Sequence, residues 1–454
     1  MMHLSEELKK RYTKEKLSVR ESQRIAEFIA FGPVVFQVSR LMLKWGILEI
    51  LRDEELTSDE IAERIGISKY AAKCVMEASL TIGTVLVNVD SGKYTISKIG
   101  WFLVNDPATI VNIDFNHDVN YLGMFDLEKA LKEGRPAGLK QLGNWPTIYE
   151  GLSTLPEAAK SSWFAFDHFY SDSSFDEALK IVFASSPKTL MDVGGNTGRW
   201  AMQCVTHDKN VDVTIVDLPQ QLDMMHDNIS GKEGSDRIHV FATNLLDEQN
   251  SLPDNSHWDV IWMSQFLDCF SEEEILSILK RAVKVMDEDS TMYIMETLWN
   301  RQKYEPAAFC LTQISLYFTA MANGNSKMYG SDELMELVDK AGLKVEKIHD
   351  NLGQGHSILC CRKKKNNKNK QYIFMERNEI EEKVREFLID DLEVEEDKIA
   401  PEALLKDDLG IDSLDFVDIV VIVEKKFGFK IKPEEMAGVK TLNDFCDYIQ
   451  SKVG

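Results

Sequence analysis

The sequence is short of the features that mark several broad protein classes. No stretch approaches the roughly 20 consecutive apolar residues of a membrane-spanning helix. The first residues, MMHLSEELKKRYTKEK, are charged where a secretion signal needs an apolar centre. Membrane insertion is therefore not expected, and a cytoplasmic location is. Cysteine is sparse: seven are scattered at 74, 204, 269, 310, 360, 361 and 446, with no CxxC pair. An odd number without regular spacing offers neither a disulfide framework nor a metal site. Positive charge is in deficit, with 52 Lys and Arg against 75 Asp and Glu and a net charge of −23. That balance repels nucleic acid and anionic membrane, leaving small molecules or basic protein surfaces as partners. No internal repeat is present.

What remains is ample for folding: 454 residues, 44% of them hydrophobic, suffice for two or three domains with packed cores. The clearest break in composition is CRKKKNNKNKQ (361–371), which is basic, rich in Asn and free of apolar residues beyond its first. A linker is expected over 362–374, spanning roughly 20 Å as a flexible coil. Residues 375–454 follow it with 22 acidic against 11 basic residues and read as a domain of their own. Ahead of the linker, residues 1–110 are helical in pattern. LTSDEIAERIGISKYAAKCVMEASLTIG (56–83) reads as helix, turn at Gly66, helix, and VLVNVDSGKYTIS (85–97) as a hairpin. This is a winged-helix pattern, yet Asp53, Glu54, Glu55, Asp59, Glu60 and Glu63 outnumber the nearby Arg52, Arg64, Lys69 and Lys73, which speaks against DNA binding.

Residues 111–361 alternate β-branched runs with helical stretches. Strands are expected at 189–195, 212–218, 237–244, 258–265 and 290–297, the spacing of a doubly wound α/β sheet, with a closing antiparallel hairpin from 343–350 and 356–362. MDVGGNTGRW (191–200) lies between the first of these strands and a helix. A dinucleotide fingerprint would need glycine at 193, where valine stands, so a nicotinamide cofactor is disfavoured. The loop remains a tight glycine turn preceded by Asp192, with Asp217 ending the second strand, where an acid can hold both hydroxyls of a ribose. A turn that serves packing alone is the plain alternative.

Loop, Asp217 and the five strands together resemble the class I S-adenosylmethionine (SAM)-dependent methyltransferases. With the winged-helix region in front, roughly residues 20–362 resemble the O-methyltransferases that join an N-terminal dimerisation domain to a SAM-binding domain. The resemblance implies a homodimer. It implies SAM held by Asp192, Gly194, Gly195, Gly198, Asp217 and Ser264, with Asn244 and Leu245 where the family's Gly-Asp-Met-Phe segment flanks the adenine. Asn244 read simply is a turn residue at a strand end. The family's catalytic histidine, in Leu-His-Asp-Trp-Ser-Asp-Glu, is replaced in LDCFSEE (267–273) by Asp268. Of the two acids that flank that histidine, one corresponds to Glu296 and the other falls on Met328. An ordinary aspartate lies about 6 pH units below a phenol, so Asp268 must be raised, and an Asp268–Glu296 pair sharing one proton would do it. His168, in WFAFDHFYSD, is the reserve base; it and His117 also read as structural histidines. Trp163, Phe164, Phe166, Phe169 and Tyr170 could cover an aromatic substrate or a sulfonium, or pack a core.

The acidic tail carries DDLGIDSLDFVDIVV (407–421), with Ser413 at the start of a helix whose outer face bears Asp412, Asp415, Asp418 and Glu424. Ser413 alone could be a helix cap. Asp-Ser-Leu within GIDSLD, and the acidic helix behind it, resemble the acyl carrier proteins over the whole of 375–454, which implies an all-α four-helix bundle. That resemblance implies a 4′-phosphopantetheine arm on Ser413, installed by a phosphopantetheinyl transferase, and docking of a ketosynthase or other acyl-chain enzymes on the acidic helix. The expected function is methylation of a carrier-tethered acyl substrate. The SQFLDCFSEEE segment (264–274) is similar to methyltransferases of aryl polyene and flexirubin-type pathways, which implies a hydroxyaryl polyene methylated on the phenol oxygen or an adjacent ring carbon. The alternative is a methyltransferase-like scaffold, or a SAM-binding decarboxylase or hydroxylase, that presents the carrier.

Overall fold

Local signals set most of the elements. Thr57 caps the helix Ser58–Ile65 reciprocally with Glu60, whose carboxylate accepts the Thr57 amide hydrogen at 2.7 Å. Gly66 ends it in the left-handed region (φ +73°), and a second helix, Lys69–Ile82, follows. A two-stranded hairpin, β1 (Val85–Asn88) and β2 (Lys93–Ile96), then stands where the wing is expected. The computed structural model describes residues 3–254, 257–364, 377–392, 394–412, 415–427, 429, 431, 433–436 and 438–453. The chain forms two compact units, 1–364 and 365–454.

In the first unit a seven-stranded sheet is built from β3 (Thr189–Val193), β4 (Asp212–Asp217), β5 (Ile238–Ala242), β6 (Val260–Ser264), β7 (Thr291–Glu296), β8 (Leu343–Leu352) and β9 (His356–Lys363). Their spatial order is β5-β4-β3-β6-β7-β9-β8, parallel except where β9 runs against β7 and β8. Both faces are buried. Met191, Val193, Ile261 and Met263 pack with helix residues Ile275, Ile278 and Leu279 on one side, while Leu190, Trp262 and Met295 pack with Trp200, Ala201 and Phe175 on the other. The strand order reverses between β3 and β6, so a crevice opens beyond their C-terminal ends.

Two expected boundaries move. The division at 110/111 falls inside the helix Pro107–Phe115, which starts at proline and is capped by Asp106 accepting from the Thr109 amide at 2.9 Å. The linker expected from Arg362 begins later. Arg362 and Lys363 pair with Thr291 and Leu343 in the sheet, and their side chains donate to the main-chain oxygens of Ser290 (3.2 Å) and Met286 (2.9 Å). The remainder of that linker, 365–374, lies outside the described residues. The N-terminus also reaches further than its composition suggests, with the Ser5 amide donating to the Asn300 carbonyl at 3.0 Å and Ser5 Oγ to the Gln302 carbonyl at 2.7 Å.

Among its described residues the second unit holds three α-helices, Arg377–Asp390, Asp415–Phe427 and Leu442–Val453, and two short 3-10 turns, Glu396–Lys398 and Pro433–Met436. Ile380, Val384, Phe387, Val423, Phe445 and Ile449 form its core. No single described helix is long and apolar enough to cross a membrane; the one pair that reaches the length together, Val19–Ala30 and Gly32–Lys44, is bent by 77°.

Because the second unit has a core of its own, a fragment of residues 365–454 is expected to unfold cooperatively in a circular-dichroism melt. A fragment that melts without a transition would contradict this.

Candidate active site

The turn after β3 is forced by glycine. Gly194 adopts φ +78°, and a Cβ on it would lie 2.2 Å from the Phe266 ring, so the main chain and that aromatic side chain meet with no space for another residue. Beside it, Asp217 at the end of β4 accepts from the Asn196 amide at 2.8 Å and from the Leu218 amide at 2.7 Å, tying the glycine loop to the neighbouring strand. Burial pushes Asp217 up to about 6, while those two amides oppose the rise.

Around this loop lies a cleft that is partly open to solvent. Gly194, Asp217, Asn244 and Leu245 line it, as expected of a SAM site. Asp192, Gly195, Gly198 and Ser264 do not line it. Asp192 sits beneath the loop, 2.8 Å from where a Gly195 Cβ would stand, and burial followed by the Asp217 charge pushes it up to about 8. Gly195 packs against Ile215 and Asp192, and Gly198 against Met225 and Ile229, while Ser264 ends β6 paired with Met295 of β7. Asn244 is committed in part: its Oδ1 accepts from the Leu246 amide at 2.9 Å.

The cleft wall also carries polar atoms that make no hydrogen bond within the chain: Asn196 Oδ1, Gln221 Oε1 and Glu150 Oε2. Desolvated acceptors of this kind call for a ligand rich in donors. SAM, with its ammonium and ribose hydroxyls, fits them.

On the opposite side the 3-10 turn Leu267–Cys269 presents Asp268 to the cleft. Asp268 is 4% exposed, burial pushes it up to about 7, and the Cys269 thiol donates to its Oδ1 at 3.4 Å. Glu296, at the end of β7, is placed behind the turn. Its Oε1 accepts from the Phe266 and Leu267 amides at 3.1 and 2.9 Å, its Oε2 makes no hydrogen bond, and it does not reach the cleft. Burial, then the Asp268 charge, raises it well above the usual carboxylate range. Asp268 and Glu296, expected to share one proton, influence each other through charge, and one oxygen of Glu296 remains without a hydrogen bond. Met328 lines the cleft where the family's second acid is expected.

His168 stands away from the cleft. Its Nε2 lies 3.5 Å from Thr197 Oγ1, and burial with the nearby Arg199 charge lowers its pKa. His117 is bound to Asp118 at 2.6 Å. Of the expected aromatic set only Trp163 and Phe166 line the cleft; Trp163 Nε1 donates to Tyr317 OH at 2.7 Å, and Phe166 stacks on Phe115 at 4.1 Å. The residue missed is Asp167, which lines the cleft beside Phe166 and accepts from Asn196 Nδ2 at 3.3 Å. Burial and then the charges of Asp268 and Asp172 push it up to about 7. Its signal was present: Trp163, Phe166 and Asp167 share one face of the helix Glu157–Asp172 at the spacing of helical turns.

In the second unit Ser413 lies outside the described residues. Its surroundings form a reciprocal bracket, with the Asp412 amide donating to Asp415 at 2.8 Å and the Asp415 amide to Asp412 at 3.1 Å, just ahead of the helix Asp415–Phe427.

Three family models match separate parts of the chain: a Dimerisation2-like domain at 23–94, an O-methyltransferase domain at 169–344 and a phosphopantetheine attachment site at 382–449. The acyl carrier proteins of Thermosynechococcus vestitus and Thermotoga maritima are 42% and 41% identical over 79 and 78 residues, 17% of this chain and 98% and 96% of theirs. Among solved structures, the mitomycin 7-O-methyltransferase MmcR superposes with a TM-score of 0.58 at 17% identity, over 75% of this chain and 98% of its own. Human N-acetylserotonin methyltransferase in complex with SAM gives 0.55 at 17% identity, over 77% and 99%. The neocarzinostatin O-methyltransferase NcsB1, with SAM and 2-hydroxy-5-methyl naphthoic acid, gives 0.54 at 19% identity, over 72% and 95%. The cofactors are SAM and 4′-phosphopantetheine. The chain belongs, over its C-terminal unit, to the acyl carrier protein family, and joins that carrier to a dimerisation domain and an O-methyltransferase domain as a SAM-dependent methyltransferase.

Proposed function

We propose that the protein methylates a hydroxyaryl acyl group, of the aryl polyene type, held as a thioester on the phosphopantetheine arm of Ser413, at the phenol oxygen or an adjacent ring carbon. The observation that carries this reading is Asp268: a buried carboxylate in an aromatic-walled cleft, on the same chain as a carrier domain. NcsB1, whose fold this chain shares, is described with a hydroxyaryl acid, and the SQFLDCFSEEE segment supports the polyene pathway.

SAM supplies an activated methyl group. Gly194, Asn196, Asp217, Gln221 and Asn244 hold it, and the rings of Trp163, Phe166, Phe266 and Phe270 keep water from the transfer. Asp268 accepts the phenolic proton. Raised to about 7, it stands about 3 pH units below a phenol, against about 6 for an ordinary aspartate, which shortens the uphill part of the proton transfer. Glu296 is a positioning residue: it holds the Phe266–Leu267 amides, and so the turn that aims Asp268.

A carrier on the same chain presents its thioester at an effective concentration that a free substrate reaches only in the millimolar range. A phosphopantetheinyl transferase loads Ser413, and a ketosynthase or related acyl-chain enzyme docks on the helix whose exposed acids include Asp418 and Glu424. Exposed Val19, Ile29, Phe31 and Val34 suit a homodimer face on the N-terminal helices, and the cytoplasm is the proposed location.

Asp268→Asn is expected to lower kcat on a carrier-bound phenol by about 10²–10³-fold while leaving the SAM Kd unchanged. Because a base acts when ionised, kcat/KM of the wild type should rise with pH through about 7, and the variant should lose that limb. Full activity in Asp268→Asn would remove the assignment. Intact-mass spectrometry tests the substrate: the chain loaded on Ser413 with a hydroxyaryl polyenoyl arm should gain one methyl on addition of SAM, whereas Ser413→Ala should not accept the arm. Absence of a methyl gain on any carrier-bound aryl group would overturn the reading.

A further inference from the structure

Methyl transfer turns SAM, a sulfonium cation, into S-adenosylhomocysteine (SAH), a neutral thioether that offers the site every other group unchanged. A site that grips only the shared groups cannot tell donor from spent product. Discrimination requires a negative charge near the sulfur, desolvated enough for its field to count.

Four carboxylates line the cleft, and three have other assignments. Asp217 is tied by two main-chain amides, Asp268 belongs to the acceptor turn, and Glu150, on the helical turn Ile148–Gly151, has a desolvated oxygen that suits the donor's ammonium. Asp167 stands between the two halves of the site: the helix Glu157–Asp172 sets it against Asn196 of the glycine loop and within the field of Asp268 across the cleft. The donor's reactive end must lie where the glycine loop and the acceptor turn converge, and Asp167 is the charge at that junction. Around it the other faces are the rings of Phe166 and Trp163, which add an attraction for a cation. We propose that Asp167 is the charge partner of the sulfonium, so that the site holds SAM in preference to SAH.

The charged groups facing it come from three elements: Asp172 on its own helix, Asp268 from the turn after β6, and Arg199 from the helix after the glycine loop, which pairs with Asp172. Burial and the two acids raise Asp167 to about 7, so it is poised to give up its proton when a cation arrives and to take one back when the cation is gone. The inference concerns the donor alone and stands apart from the identity of the acceptor and from the role of Asp268.

Titration calorimetry tests it with three probes: SAM, SAH and sinefungin, in which an ammonium stands near the sulfonium position. In Asp167→Asn, SAM and sinefungin should bind about tenfold more weakly or worse, while SAH stays within about twofold of wild type; unchanged SAH binding also shows that the variant is folded. Asp167→Glu should keep part of the preference. Equal weakening of all three probes would assign Asp167 to loop support through Asn196, and no weakening would leave it without a role toward the donor; either result overturns the inference. Should Asp167→Asn fail to fold, the wild type decides: its SAM-to-SAH affinity ratio should climb between pH 6 and pH 8 as Asp167 ionises, and a flat ratio overturns the proposal. A wild type that binds none of the three would remove the donor assignment itself, a separate and distinguishable result.

Discussion

The two hydrogen bonds from the Phe266 and Leu267 amides to one oxygen of Glu296 are the constraint on which the site depends. A strand that ends at Ser264 and turns at once into a 3-10 segment leaves main-chain donors without sheet partners in a buried place, where an unpaired amide costs about 1–3 kcal/mol. Glu296 reaches across from the adjacent strand and satisfies two of them. The turn then has one conformation, and both its products follow: Phe266 presses on Gly194, which shapes the donor side, and Asp268 faces the cleft, which shapes the acceptor side.

Charge is distributed in the same spirit. Burial raises Asp192, Asp217, Asp167 and Asp268 to between about 6 and about 8, so the interior near neutral pH holds several carboxyls on the edge of ionisation. A cationic donor is well matched to such an interior, since each charge it induces is compensated by its own.

Much of the fold was legible because its signals are local. The seven strands are runs of β-branched residues, the glycine turn needs residues without a Cβ, and Asp217 is identified by its place at a strand end. The carrier domain was legible through a short motif and a sharp change of charge. What was hidden depends on distant parts of the chain. Asp167 gains its meaning from Asn196 and Asp268, 29 and about 100 residues away, while His168 beside it drew notice by residue type and proves to face Thr197. The work of Glu296, holding two amides, is visible only when β6 and β7 are adjacent. The two domain limits were misread for opposite reasons: at 110 a helix crosses without any change of composition, and at 362 basic side chains that look like linker find carbonyl partners and extend a strand.

The bracket formed by Asp412 and Asp415 has a consequence for how the carrier is used. Each acid's carboxylate receives the other's amide hydrogen, so the entry to the helix Asp415–Phe427 is fixed by its own side chains. A helix entry that is already ordered leaves little conformational entropy to be lost on association there.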